Sequence, residues 1–186
     1  MTRPDTLTLA KEGDLGARDL LLKEWLPVVL RWCSALGGPR VDAEEAAHDV
    51  LLVLMRRIET VYDSDRLPAW LFGVTRRTVA RHRRRAWVRY WVPGVLADRA
   101  DPAGGPARIY EVSETSRGVQ QCLDALPELD REILVLRLYE QRPDSEVAEI
   151  LNVPIGTVKS RLHRARDRFI RQARSQGLVT APEALS

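Results

Sequence analysis

The chain has 186 residues, with 29 Lys and Arg against 26 Asp and Glu, a formal net charge of +3 and 45% hydrophobic residues. That is enough apolar material for one domain or two small ones, and too small a charge imbalance to define a partner by total charge. No run approaches the ~18 apolar residues that span a bilayer, the opening MTRPDTLTLAKEGD lacks a secretory apolar segment, and the lone cysteines Cys33 and Cys122 argue against a disulfide framework or a zinc site, so a reduced cytoplasm is expected.

Location of charge says more than its sum. Arginines crowd into 76–89 and 159–174, and acids into 42–65 and 124–149. Residues 15–36 read as a helix with Pro27 as a candidate kink. Leu20, Leu21, Leu26, Val29 and Leu30 supply its apolar face, and Gly37-Gly38-Pro39 ends it. A second helix follows in VDAEEAAHDVLLVLMRRIE. Asp42 is its N-cap and Glu45 has the capping-box spacing. Ala47, Val50, Leu51, Leu54 and Ile58 form one buried stripe at i, i+3, i+4, i+7 spacing. The other face carries Glu45, His48, Asp49 and Leu52. Residue types alone leave that face as either a solvated surface or a docking surface for a basic partner. TVYDSDR, 60–66, reads as a loop.

A further helix opens at Leu67-Pro68, with proline in a tolerated first-turn position. Leu67, Trp70, Leu71, Val74 and Thr78 share a face, which assigns Trp70 to the core. Phe72 lies off that stripe and suits a core site or a base contact equally. From Arg81 onward the stripe fails and arginines occupy every side. Arginine at 76, 77, 81, 83, 84, 85 and 89 implies phosphate contact with salt-dependent affinity. Rings beside arginine also suit unstacked bases, although Trp87, Tyr90 and Trp91 serve equally as a lid over the domain end. Residues 92–113, containing PGVLADRADPAGGP, read as a flexible linker that spans at most roughly 70–80 Å.

The remainder reads as short helices at 115–126, 128–140, 144–152 and 154–173, punctuated by Pro127, Pro143 and Pro154. DSEVAEILN, the turn Asn152-Val153-Pro154 and IGTVKSRLHRARDRFIRQAR form a helix-turn-helix with a basic second helix. In that motif the start of the second helix meets base edges in the major groove. Here it offers Thr157, Lys159, Ser160, Arg161, His163 and Arg164. A solvated basic helix of an ordinary bundle is the plain alternative. No phosphate loop, nucleophile elbow or metal-ligand helix is present, and the adjacent His48 and Asp49 do not face each other on a helix.

In this order, DAEEAAHDVLLVLM, LPAWLFGVTRRTVARHRRR, ALPELDREILVLRLYE and SEVAEILNVPIGTVKSRLHRARDRF resemble regions 2.2, 2.3 with 2.4, and 4 of the sigma-70 family, in its short extracytoplasmic-function (ECF) type. The resemblance covers about 18–92 and 115–173, and VPIGTVKSRLHRAR is nearly a signature. It implies an all-α fold of two small helical domains. Region 2 would occupy 1–91, the linker 92–113 and region 4 114–186. It also implies a promoter-specificity subunit for core RNA polymerase, with region 2 on the β′ clamp helices and region 4 on the β flap. Docking would fall on Glu45, His48, Asp49 and Leu52. Region 4 would read the −35 duplex through Thr157, Lys159, Ser160, Arg161, His163 and Arg164. Region 2 would hold a flipped −10 base of the non-template strand with the loop Tyr62, Asp63, Ser64, Asp65 and Arg66, aided by Phe72, Arg76, Arg77 and Arg81. The family has no catalytic site, metal or cofactor, and many members are held inactive by an anti-sigma factor, often membrane-anchored. Two departures stand out. His48 replaces a frequent Gln, and Thr75-Arg76-Arg77 replaces a frequent Ala-Arg-Asn, so Arg77 can only donate where Asn would also accept.

Two other functions fit parts of the chain. A stand-alone helix-turn-helix regulator accounts for 128–172 and leaves the acidic helix and the arginine run idle. An RNA-binding protein accounts for the arginine run and leaves the helix-turn-helix idle.

Overall fold

Aspartate caps start two of the long helices of this protein, and a proline precedes three of the others. The structure, a computed structural model, describes residues 5–91 and 114–179. Its elements are α1 (Thr6–Lys11), α2 (Leu15–Gly37), α3 (Ala43–Arg57), a 3-10 turn (Ile58–Thr60) and α4 (Leu67–Trp91). These are followed by α5 (Glu114–Asp124), α6 (Glu128–Leu134), a π turn (Val135–Tyr139), α7 (Asp144–Leu151) and α8 (Ile155–Ser175). Asp42 Oδ1 accepts from the backbone N–H groups of Glu44 and Glu45 at 2.9 and 3.0 Å, a cap worth about 1 kcal/mol. Asp14 caps α2 in the same way through Ala17 N–H. The expected linker, 92–113, lies outside the described residues, as do the side chains of Tyr90 and Trp91.

α2 continues through Pro27, which sits exposed. Its missing N–H removes one intrahelical bond without ending the helix. Sequence periodicity did not reveal α1, whose six residues are too few for a pattern. The Lys11 ammonium anchors it by donating to the carbonyl oxygen of Val61. The 128–140 helix ends differently from expectation: after Leu134 it widens into the π turn, closed by Glu140 N–H to Val135 O. α7 stops where Asn152 turns left-handed at φ 52°, a conformation that asparagine tolerates well. Val153 N–H then bonds Ala148 O, and Pro154 starts α8.

α2, α3 and α4 pack on one another around Val29, Trp32, Val50, Leu54, Leu71 and Phe72. α6, α7 and α8 pack around Ile133, Leu136, Val147, Leu151 and Val158. The buried cluster runs without a break from the first group into the second, because α2 touches α5 and α4 touches α7. Cys33 and Cys122 are both fully buried, and burial pushes the Cys33 thiol up to about 12. Both are therefore inert packing residues.

Candidate nucleic-acid and docking surfaces

α8 presents its first two turns to solvent. Its inward face, Val158, Leu162 and Ala165, packs on α6 and α7. That burial leaves Lys159, Ser160, His163 and Arg164 exposed and Thr157 half-buried. Arg161 is the exception among the six. Its guanidinium donates to Asp130 Oδ1 at 2.9 Å, while Arg168 donates to Oδ2 of the same carboxylate at 2.8 Å. Asp130 is only 2% exposed, so two arginines on the same face of α8, about two turns apart, clamp one buried acid. Arg161 therefore positions α8 on α6 as well as facing outward. Arg164 is held by a bond to its own helix, Nε to Ser160 O, and its guanidinium stays in solvent.

The loop before α4 forms a cleft of about 490 Å³ with Tyr62, Asp65, Arg66, Ala69 and Trp70 on its walls. Asp63 shapes it by accepting Arg66 N–H at 2.8 Å. Tyr62 is 85% exposed, so most of its ring faces solvent. Trp70 is half-buried: it packs against the core with one side and lines this cleft with the other. Its assignment to the core therefore covers only part of the ring.

Phe72 corrects the sequence expectation of a contact with DNA. It is fully buried, edge-on to Trp32 with ring centroids 5.1 Å apart. α4 buries more than one stripe, because Phe72, Thr75, Val79 and His82 are covered as well as Leu67, Leu71, Val74 and Thr78. The wider face exists because α4 is packed by α2, α3 and α7. A ring in that position cannot reach a base. Arg77 is exposed, Arg81 is half-exposed and bonds Asp49 Oδ2 at 2.8 Å, and Arg76 is drawn inward to Glu132.

The outer face of α3 meets α2 along a groove of about 550 Å³. Leu22, Leu26, His48, Leu51, Leu52 and Met55 line it, with Leu26 and Leu52 substantially exposed. Glu45 and His48 stand exposed beside it. Glu45 Oε2 lies 3.8 Å from His82 Nδ1, and Asp49 is held more tightly. It accepts from Arg81 and lies 2.9 Å from His82 Nε2, and His82 is itself buried. Partial burial pushes the Asp49 carboxyl up, but the His82 hydrogen bond and the Arg81 charge outweigh it and hold it below the ordinary carboxylate range.

Residue patterns did not foretell a network joining the two halves. Arg83 Nη1 donates to Asp124 and to the carbonyl oxygens of Leu36 and Gly37. Arg131 donates to Leu36 O at 2.8 Å. Gln120 Nε2 donates to Ser34 Oγ at 2.6 Å. The only advance signal was Gly37-Gly38: Gly38 sits at φ 72°, and a Cβ there would lie 2.6 Å from Asp124 Oδ1. Among the described residues no helix is long and apolar enough to cross a membrane, and no group of three acidic, His or Cys side chains could hold a metal ion.

The family model described as sigma-70 region 2 matches residues 21–89, and that described as sigma-70, region 4 matches 116–169. The ECF RNA polymerase sigma factor SigW of Bacillus subtilis is 27% identical over 177 residues, covering 88% of this chain and 92% of that protein. Two solved structures share the fold. One is CnrH in complex with the cytosolic domain of CnrY (TM-score 0.68, 19% identity, 91% of this chain and 96% of that one). The other is the sigma factor RpoE with the anti-sigma factor NepR from Bartonella quintana (TM-score 0.63, 24% identity, 84% and 96%).

Proposed function

This chain belongs to the sigma-70 family of RNA polymerase sigma factors, in its ECF type, and we propose a division of labour among its surfaces. The observation that carries the reading is the occurrence of both family regions in order in one chain, the second ending in a helix whose first turns are open to solvent. A stand-alone helix-turn-helix regulator is not favoured, because it leaves the 21–89 match without a role.

Region 2 is assigned to 1–91, the linker to 92–113 and region 4 to 114–186. Core polymerase docks on the groove between α2 and α3. Leu26, Leu52 and His48 give contact area, and Glu45 gives charge for a basic partner helix. Asp49 serves chiefly to hold α4 against α3, since both its neighbours come from α4. The −35 duplex is read by Lys159, Ser160, His163 and Arg164, with Thr157 at the rim and Arg161 aligned by Asp130. Lysine and arginine donors suit guanine O6 and N7. The −10 single strand enters the cleft of Tyr62 to Arg66, where the exposed Tyr62 ring offers a stacking platform worth roughly 1–3 kcal/mol per base. Arg76, Arg77 and Arg81 take the adjoining phosphates. Anti-sigma factors are the partners named in the RpoE structure, and an anti-sigma factor that holds this chain inactive in the cytoplasm, at the membrane where it is anchored there, belongs to the same proposal.

Run-off transcription with purified core polymerase on a genomic fragment pool tests the reading. Promoter-dependent starts that require this protein are expected. Their absence on every fragment would remove it. Within that assay, Leu52→Asp should abolish capture by core polymerase while leaving the fold intact, because Leu52 is exposed. Full retention in a pull-down would move the docking surface elsewhere.

A further inference from the structure

We propose that Lys11 is a positioning residue for −10 base capture: from α1 its ammonium fixes the start of the loop that carries Tyr62, so the cleft before α4 has its shape before a base arrives. The inference rests on the assignment of that cleft to the −10 single strand, and names the residue that sets its form. α1 carries none of the proposed contacts with DNA or polymerase. Its six residues cannot hold a helix alone, since a free helix shorter than about 12–15 residues is marginal in water. Packing holds it instead. Leu7 and Ala10 are buried in the core, Arg18 Nε of α2 donates to Ala10 O at 2.9 Å, and Asp14 N–H bonds Leu9 O at 3.0 Å. Gly13, at φ 95°, turns the chain from α1 into α2. Lys11 therefore reaches out from a fixed base.

A lysine ammonium has three donors and no acceptor. Lys11 Nζ donates to two successive carbonyl oxygens, those of Val61 and, at 3.4 Å, Tyr62, which lie 50 and 51 residues along the chain. Val61 is the last buried residue before the cleft, and its N–H closes the 3-10 turn onto Ile58 O at 3.1 Å. Tyr62 comes next, with its ring in solvent. Both carbonyls are turned to the ammonium, so the peptide planes on either side of Tyr62 are held while its ring points outward. The far end of the loop is tied separately. Asp63 Oδ1 accepts Arg66 N–H at 2.8 Å, and Leu67 N–H bonds Ser64 O at 3.2 Å. Those ties act within three residues of themselves. Lys11 comes from another element and holds the end that bears the ring. An ordered platform loses less conformational freedom when a base stacks on it, so the tie acts on base selection. A phosphate contact would act differently, weakening every strand alike.

Two readouts on the full chain test this. The first needs no nucleic acid. Lys11→Met removes the donors and keeps the apolar stem, and amide hydrogen exchange across 61–66 should speed up about fivefold while the buried amides of α2 and α3 keep their wild-type rates. Leu7→Ala loosens α1 without touching the ammonium and should give the same result. The second readout uses the complex with core polymerase. Single strands of randomised sequence are captured and sequenced, with core polymerase alone as the background. The wild-type complex should enrich one base at one position, and Tyr62→Ala should erase that enrichment. Lys11→Met should cut it about fivefold while total capture changes less than about twofold. Lys11→Arg, which can bridge the same two carbonyls, should restore exchange and enrichment together. Wild-type exchange in Lys11→Met or Leu7→Ala overturns the proposal. So does a loss of all strands alike with enrichment intact, which would make Lys11 a phosphate contact. Wild-type enrichment in Tyr62→Ala strikes the −10 assignment of the cleft, a failure that the exchange readout, made without DNA, keeps distinct.

Discussion

The two arginine surfaces of this sigma factor are held in opposite ways. On α8, Arg161 and Arg168 pair with Asp130 of their own domain. On α4, Arg76 and Arg83 pair with Glu132 and Asp124 of the other domain. Pairing within a domain fixes α8 on α6. Pairing between domains ties α4 to the helices that pack against it. Equal numbers of arginines in a sequence can therefore mark a ready surface or a covered one.

The sharpest way to break this comparison is at its hydrophobic base. Phe72→Ala should destabilise region 2 by about 3–5 kcal/mol, the usual range for a buried aromatic truncation, and urea unfolding would measure it. Wild-type stability with weaker single-strand binding would put Phe72 back at the surface. Next comes Asp130→Ala, which leaves Arg161 and Arg168 without their acid. Loss of hydrogen bonds between charged groups at a buried site predicts roughly 1.5–3 kcal/mol, seen as a lower urea midpoint for region 4. If Asp130→Ala left the midpoint unchanged, the clamp would not be holding α8.

Arg164→Ala tests the open surface directly. A base contact predicts about 1–3 kcal/mol of lost −35 affinity with relaxed sequence preference. A phosphate contact predicts a salt slope shallower by about one. No change in either would take Arg164 out of the interface.

The smallest expected effect concerns Asp49. Its carboxyl is held below the ordinary range, so it adds stability while ionised. That contribution is present above the unfolded value near pH 3.9 and is lost as pH falls through the depressed folded value. Asp49 and Arg81 are substantially solvated, so screening keeps the effect under about 1 kcal/mol. Asp49→Asn should be slightly less stable than wild type at pH 7, with the difference shrinking as pH falls through the acid range, by thermal melts at each pH.

Much of the fold was legible in residue patterns. Asp42 with Glu45, the stripe of Val50, Leu51 and Leu54, and the prolines before α6, α7 and α8 each act within a few residues of themselves. The helix-turn-helix and its exposed face followed from the same local chemistry. Trp70 and Phe72 were harder. Two residues apart on α4, one lines a cleft and the other is sealed under Trp32. Their own periodicity ranks them the other way round, because it counts one neighbouring helix and α4 is packed by several. Asp49 gained partners that no local pattern announced. It lies on the outward side of α3, yet α4 crosses close enough for His82 and Arg81 to claim it.

By itself, then, the sequence determined the longer helices, their order, the two helical regions and the membership of the sigma-70 family, since caps, stripes and motifs are short-range properties of the chain. Only the tertiary structure decided which donors are free. The partners of Arg76, Arg83 and Arg161 lie 56, 41 and 31 residues away. Pairing at such separations is set by how helices pack, and no local pattern records it.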